Sequence, residues 1–440
     1  MSERLALRGP CLSFRAPPWR EGAAALRFEP DALILLHEGR IVALDDHARL
    51  RAQVPDEMHI VHYDSNHLIL PGFIDAHVHY PQVQMIASFG LRLIDWLKRY
   101  TFEVEQQYAD PEHAAREARV FLDECLRNGT TSACVFGTVH AHSVDALMRE
   151  ALSRDMRLFA GKVLMDRHAP PTLCDSADSG YADSRALITR WHGQGRLGYA
   201  ITPRFAPTSS PRQLELAGQL AAEHPDCRIQ THIAETPEEV AWARELFPER
   251  KDYLDIYAHY GLLGPHTLLG HGIHLSDDEL QRIAMCGACV VHCPSSNLFL
   301  GSGLLDLGRL RQTTPSPAVA LGSDVGAGTS LSLLRTLGDA YRIARLRGFA
   351  LNALDGLYLA TRAGAQALGI ADRVGALEPG MEADMVVLDL CSTPLLAHRM
   401  RHCRDLEEAL FAQMILADDR AIRATWVAGR CLYERADRVS

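Results

Sequence analysis

Residues 73–79 read Phe-Ile-Asp-Ala-His-Val-His and follow directly on Pro71-Gly72. The run is apolar enough for a strand buried on both faces, the pattern of a parallel sheet covered by helices. Its two histidines, His77 and His79, stand at i and i+2, so a strand's two-residue period turns both side chains to one face. Seven more such runs follow: TSACVFG (131–137), LFAGKVLMD (158–166), LGYAITPRFAP (197–207), RIQTHIAE (228–235), TLLGHGIH (267–274), ACVVHCP (288–294) and AVALGSD (318–324). Amphipathic helical patterns lie between most of them. Thr236-Pro-Glu-Glu239 and Ser276-Asp-Asp-Glu279 read as capping boxes, the first with proline at the first helical position. The pattern through AREARVFLDECLRNG stops at Gly129, a usual helix terminator. Eight strand-then-helix units from Phe73 to Asp324 fill about the 250 residues that a (β/α)8 barrel takes. The spacing therefore predicts an α/β fold built on a (β/α)8 TIM barrel. A doubly wound sheet is the alternative, and the lack of G-x-G-x-x-G after the first run weighs against it.

Outside these units the pattern changes. Residues 31–70 carry DALILLHEGRIVALDD and HLILP, and residues 381–440 carry MEADMVVLDL and AIRATWVAGRCLYE. These are short β runs with glycine turns, not helices. Two β segments that bracket a barrel most simply pair into one small β-sandwich domain built from both termini. Pro71-Gly72 and Glu378-Pro379-Gly380 punctuate the joins. The expected division is residues 1–70 and 376–440 as the two parts of the β-sandwich domain, and 71–375 as the barrel.

Composition narrows the function classes. The 440 residues carry a net charge of −10 with histidine neutral, which argues against a nucleic-acid binder and its basic face. No stretch approaches the 18 or so apolar residues of a spanning helix. The N-terminal MSERLALRGPCLSFRAPPWREG lacks the apolar core of a signal peptide. Eleven cysteines at irregular spacing read as reduced thiols, and a cytoplasmic protein is expected. Cys286-Gly-Ala-Cys289-Val-Val-His292-Cys293 resembles a zinc knuckle, but such a site needs a second, distant pair, so these cysteines read as small core hydrophobes. Ser295 and Ser296 sit in no G-x-S-x-G elbow. Gly326-Ala-Gly328-Thr-Ser330 lacks the P-loop lysine.

The 21 histidines direct attention to metal or proton chemistry. His77 and His79 end the first run, His232 the fifth, His271 lies in the sixth and Asp324 ends the eighth. In a barrel these ends converge on one rim, where active sites are built. Packing alone does not explain polar groups at four strand ends, since burying each unpaired costs several kcal/mol. His77, His79, His232 and Asp324 make a set of four metal ligands, and imidazole with carboxylate suits zinc or iron(II). A metal there would bring the pKa of a water down to about 7. Glu235, three residues after His232, falls beside such a site in a good place to shuttle protons. His274 and His292 read as hydrogen-bonded rim residues.

These motifs resemble the amidohydrolase superfamily of the mononuclear metal type: PGFIDAHVH, THIAE, GHGIHLSD and LGSDVGAGTS. Longer stretches, among them HVHYPQVQMIAS, DWLKRYTF, NGTTSACVFGTVH, YAITPRFAPTSS and HCPSSNLFLGSGLLDL, are similar to the bacterial guanine deaminase group of that superfamily, from about residue 68 to the C-terminus. The resemblance implies one zinc per chain held by His77, His79, His232 and Asp324, with iron(II) left open. It implies Glu235 as proton shuttle, with Asp324 taking a proton from the attacking water and His271 orienting that water. It implies Gln82, Arg204 and Phe205 as the residues that grip a purine. The implied reaction is hydrolysis of guanine to xanthine and ammonia in a homodimer, with no membrane or nucleic-acid partner. Rival readings are an aminohydrolase of a pterin, 8-oxoguanine or s-triazine, a binuclear amidase built on a carbamylated lysine such as Lys162, and a silent scaffold. Two departures stand out: Glu103 where the family usually has proline, and Ala327 where it has glycine.

Overall fold

The computed structural model describes residues 5–55 and 57–436. Residues 1–4, 56 and 437–440, which fall within the two parts expected of the β-sandwich domain, lie outside that description. Each of the eight apolar runs supplies one strand to the ring: Phe73–His79, Thr130–Phe136, Arg157–Gly161, Gly198–Pro203, Arg228–Ile233, Thr267–His271, Cys289–His292 and Ala318–Leu321. All neighbours in this order pair in parallel. The ring is closed just beyond the last strand, where Asp324 N–H donates to the His77 carbonyl and His79 N–H to the Val325 carbonyl, both at 2.9 Å. All seven residues of the first and second strands are buried, as strands with a filled barrel on one side and helices on the other must be. The third run breaks at Lys162, and its far piece, Val163–Leu164, continues alongside Thr202 and Pro203.

The helix ends follow the local chemistry. Thr236 and Ser276 cap Pro237–Leu246 and Asp277–Cys286, each with its glutamate reaching back to complete a capping box. Helix Pro111–Arg127 stops before Gly129, which takes a left-handed φ of 79° that costs a glycine nothing. No helix among the described residues is long and apolar enough to cross a membrane.

Both ends of the chain build a separate, mixed, eight-stranded sheet. The termini meet where His67–Pro71 pairs antiparallel with Met385–Asp389. The sheet starts with Leu5–Phe14, ahead of the first β run read from the sequence, and branches there: His59–His62 runs parallel to its first half and His67–Pro71 touches its second. Leu7, Cys11, Ile34, Ile69, Met385 and Trp426 form the core between the branches. The C-terminal part also holds two helices, Pro394–Met400 and Leu406–Leu416, where the sequence pattern showed only strands. The second reads LEEALFAQMIL, apolar on nearly every side, so it carries no helical period. The sheet is fastened to the barrel by buried ions: Glu382 Oε2 accepts from Arg157 Nε and Arg196 Nε, each at 2.9 Å, and Arg196 also reaches Asp384.

Candidate active site

The strand ends bring the expected polar residues together. His77, His79, His232 and Asp324 each offer one donor atom, and these atoms lie within 4.8 Å of one another. Asp324 Oδ1 stands 3.3 Å from both His77 Nε2 and His79 Nε2. His79 Nε2 lies 3.1 Å from His232 Nε2. His232 Nδ1–H donates to the Arg204 carbonyl at 2.7 Å, which leaves the lone pair on Nε2. Burial pulls His77 down to about 4, with Asp324 opposing, and it also pulls His79 down, so both rings are neutral, the ligating form. Burial opposes ionisation of Asp324, yet its contacts with His77 and His79 hold it well below the usual carboxylate range.

Two glycines make the room. A Cβ on Gly270 would stand 2.6 Å from His77 Cε1, and one on Gly322 would stand 2.8 Å from His77 Cβ. His271 and Asp324 themselves sit at φ of 71° and 50°, a left-handed conformation rare for side-chain-bearing residues and held only where the surroundings over-determine it.

Among the described residues, His77 Nε2 is a buried atom with no hydrogen-bond partner. Three imidazole nitrogens and a carboxylate oxygen thus converge on one point, and this donor set fits a divalent metal. An overlapping set replaces His79 and His232 by Cys293 and His271. The Cys293 thiol donates to the Val291 carbonyl at 3.5 Å and His271 faces Glu235, which favours the first set. Lys162 is fully buried and ion-paired with Asp175, so it does not serve as a bridging ligand here.

On the open side of this cluster, three groups face each other. His271 Nε2 lies 3.4 Å from Glu235 Oε2 and 3.7 Å from Asp324 Oδ2. Burial lowers His271, but Glu235 and Asp324 outweigh it and leave the ring raised above its usual value. Burial raises Glu235, with Asp324 adding to the rise and His271 and Ser302 opposing it. Glu239, read from the sequence as a helix cap, also belongs to this wall. Its Oε2 accepts from the Glu235 and Thr236 N–H groups, its Oε1 accepts from the Tyr253 hydroxyl, and burial with Glu235 beside it pushes its carboxyl up to about 7.

The cluster opens into a small cavity bounded by Gln82, Trp96, Leu97, Arg204, Phe205 and Ala327 as well as the polar groups above. Gln82, Arg204 and Phe205 are all nearly fully buried. Glu103 is exposed on the helix Phe102–Gln106 and takes no part in the cavity.

Three residues given no role in the sequence reading support this site. Asn297 Oδ1 accepts from His271 Nδ1 at 2.9 Å. Ser302 Oγ donates to Glu235 Oε1 at 2.7 Å. Glu105 is buried, and its carboxylate accepts from both Gln82 and Arg204. Asn297 and Ser302 stand in HCPSSNLFLGSG, a stretch that resembles the family without showing why.

The sequence pattern of the amidohydrolase family matches residues 68–432, and the chain belongs to that family. Within it the chain is 45% identical over 415 residues to guanine deaminase of Escherichia coli (strain K12), covering 94% of both. The solved structure of E. coli guanine deaminase matches it with a TM-score of 0.95 at 44% identity, over 98% of this chain and 100% of that one. That of guanine deaminase from C. acetobutylicum, with guanine bound in the active site, matches with a TM-score of 0.88 at 25% identity, over 98% and 100%.

Proposed function

We propose that the chain is a guanine deaminase, which hydrolyses the 2-amino group of guanine to give xanthine and ammonia. The observation that carries this is the facing of three proton-handling groups, Glu235, His271 and Asp324, across a small cavity from the donor pair Gln82 and Arg204. The similarity to guanine deaminases along nearly the whole chain supports it. His77, His79, His232 and Asp324 would hold one zinc ion, which would supply Lewis acidity toward a water in the cavity.

The protein's own groups then divide the work. Asp324 Oδ2 takes the proton of the attacking water, whose oxygen forms the new bond to C2. Glu235, protonated at the start, gives its proton to the neighbouring ring nitrogen. His271, anchored on Asn297, donates from Nε2 to the attacking oxygen. The proton held by Asp324 passes to the amine, the C2–N bond breaks as the C2 hydroxyl gives its proton back to Glu235 and becomes the carbonyl, and ammonia leaves. Arg204 and Gln82 hold the purine edge, and Phe205 walls its face. The enzyme works in the cytoplasm as a homodimer, with residues 71–375 as its catalytic barrel and residues 1–70 and 376–440 as one β-sandwich domain.

The test is an absorbance assay of guanine beside pterin, 8-oxoguanine and s-triazine amines, with metal analysis. Guanine as the best substrate at one zinc per chain is expected, with Glu235→Gln slower by about 100-fold or more. A metal-loaded parent that leaves guanine untouched would sink the proposal.

A further inference from the structure

Glu105 stands behind the two residues assigned to the purine, not in the cavity itself. Its Oε1 accepts from Gln82 Nε2 at 3.0 Å and from Arg204 Nη1 at 3.0 Å, and its Oε2 accepts from the same Nη1 at 2.8 Å. At the other end of the Gln82 amide, Oε1 accepts from the Gly326 N–H at 3.3 Å. The two ends of an amide are alike in shape, so its partners decide its orientation. Here a carboxylate, which only accepts, meets one end, and a backbone N–H, which only donates, meets the other. One orientation satisfies both.

We infer that Glu105 is the specificity-determining residue of this site. By turning the nitrogen of Gln82 inward and pairing with Arg204, it presents the substrate with donors: the second Nε2–H of Gln82 and the remaining guanidinium N–H groups. Such a pair selects a ring edge with a carbonyl oxygen beside a ring nitrogen. Arginine reads the O6 and N7 atoms of guanine in this way in nucleic acids. A purine with an amino group at C6 sets donor against donor and leaves both unpaired in a buried site. Sites built to hydrogen-bond a polar group reject the mismatched analogue by about 10⁴-fold. The selected class is the 2-amino-6-oxopurines, and the inference rests on the reading of the site as a guanine deaminase.

The experiment compares guanine with 2,6-diaminopurine, which keeps the 2-amino group and exchanges the C6 oxygen for an amine. Both are assayed with the zinc-loaded parent, Glu105→Gln and Glu105→Asp. Glu105→Gln removes the charge that pairs with Arg204 and leaves the 3.3 Å bond from the Gly326 N–H as the only contact that still sets which end of Gln82 faces which way. The expected result is a fall of about 100-fold in kcat/KM for guanine, carried mainly by KM, and a preference for guanine reduced by about 10-fold or more. Glu105→Asp keeps the charge but draws it back, and loses less in the same direction. A metal-loaded Glu105→Gln variant that keeps the parent's preference within about threefold, or a Glu105→Asp variant that loses more than Glu105→Gln, overturns the inference. Failure of the parent on guanine itself would instead strike the functional reading beneath it.

Discussion

The Ser302 hydroxyl donates to Glu235 Oε1 at 2.7 Å and leaves Oε2 of the same carboxyl facing His271 Nε2 at 3.4 Å. One oxygen is tied and the other is presented. In Ser302→Ala the carboxyl is free to turn, and a hydrogen bond to the protonated acid, worth about 0.5–1.5 kcal/mol, is lost. The expected outcome is a fall of about 3- to 10-fold in kcat with KM nearly unchanged. Ser302→Thr, which keeps the hydroxyl, restores most of it.

The same variant makes a prediction in pH. The mechanism needs Glu235 to hold a proton, so activity falls as pH rises through its pKa. The Ser302 hydrogen bond favours the charged form and partly offsets the rise caused by burial. Removing it raises the pKa further and moves the alkaline limb of the kcat/KM profile to higher pH. A limb that stays in place or moves down would show that Glu235 does not set it.

Gly270→Ala tests the cradle around His77, since the added carbon would stand 2.6 Å from the imidazole Cε1. The ring must be displaced, and bound zinc is expected to fall below half an equivalent, roughly, in elemental analysis, while the barrel stays folded. Full zinc content with full activity would mean that the backbone yields instead.

Metal removal should cost stability as well as activity. The converging lone pairs of His77, His79 and His232 are met by the ion only in the folded chain, so excess zinc at about 1,000 times its Kd adds about 4 kcal/mol. A chelator should therefore lower the Tm, and zinc should restore it.

Glu382 ties the β domain to the barrel through Arg157 and Arg196. Glu382→Ala leaves two buried guanidinium groups short of a partner, and a loss of about 3–5 kcal/mol is expected in denaturant unfolding. Burial raises the Glu382 carboxyl, but the two arginines outweigh it and hold it below the usual glutamate range. Its contribution is therefore complete above the unfolded value near pH 4 and lost as pH falls through the lower folded one. The gap between parent and variant should close in acid.

The barrel could be read because its strands are buried on both faces, which writes them as unbroken apolar runs. Against such runs His77, His79, His232, His271 and Asp324 are conspicuous, so the cluster could be read along with the fold. The supporting residues left no comparable mark. Ser302 lies 67 positions from Glu235 and Asn297 lies 26 from His271, each on the stretch after the seventh strand. Glu105 differs from exposed Glu103 only in which way a short helix turns it. Leu406–Leu416 went unread for the opposite reason: apolar on nearly every side, it shows no period at all.

The backbone bonds that close the barrel, Asp324 N–H to the His77 carbonyl and His79 N–H to the Val325 carbonyl, involve three of the four residues that carry the metal-binding side chains. The first and last strands of the ring are thus stitched at the very place where the ion would bind. A ribosome must deliver the eighth strand before Asp324 can join the three histidines, so a nascent or truncated barrel lacks the carboxylate that completes the set. Loading would then report that the ring has shut, and a chain opened along this seam by circular permutation should lose its metal before it loses its helices.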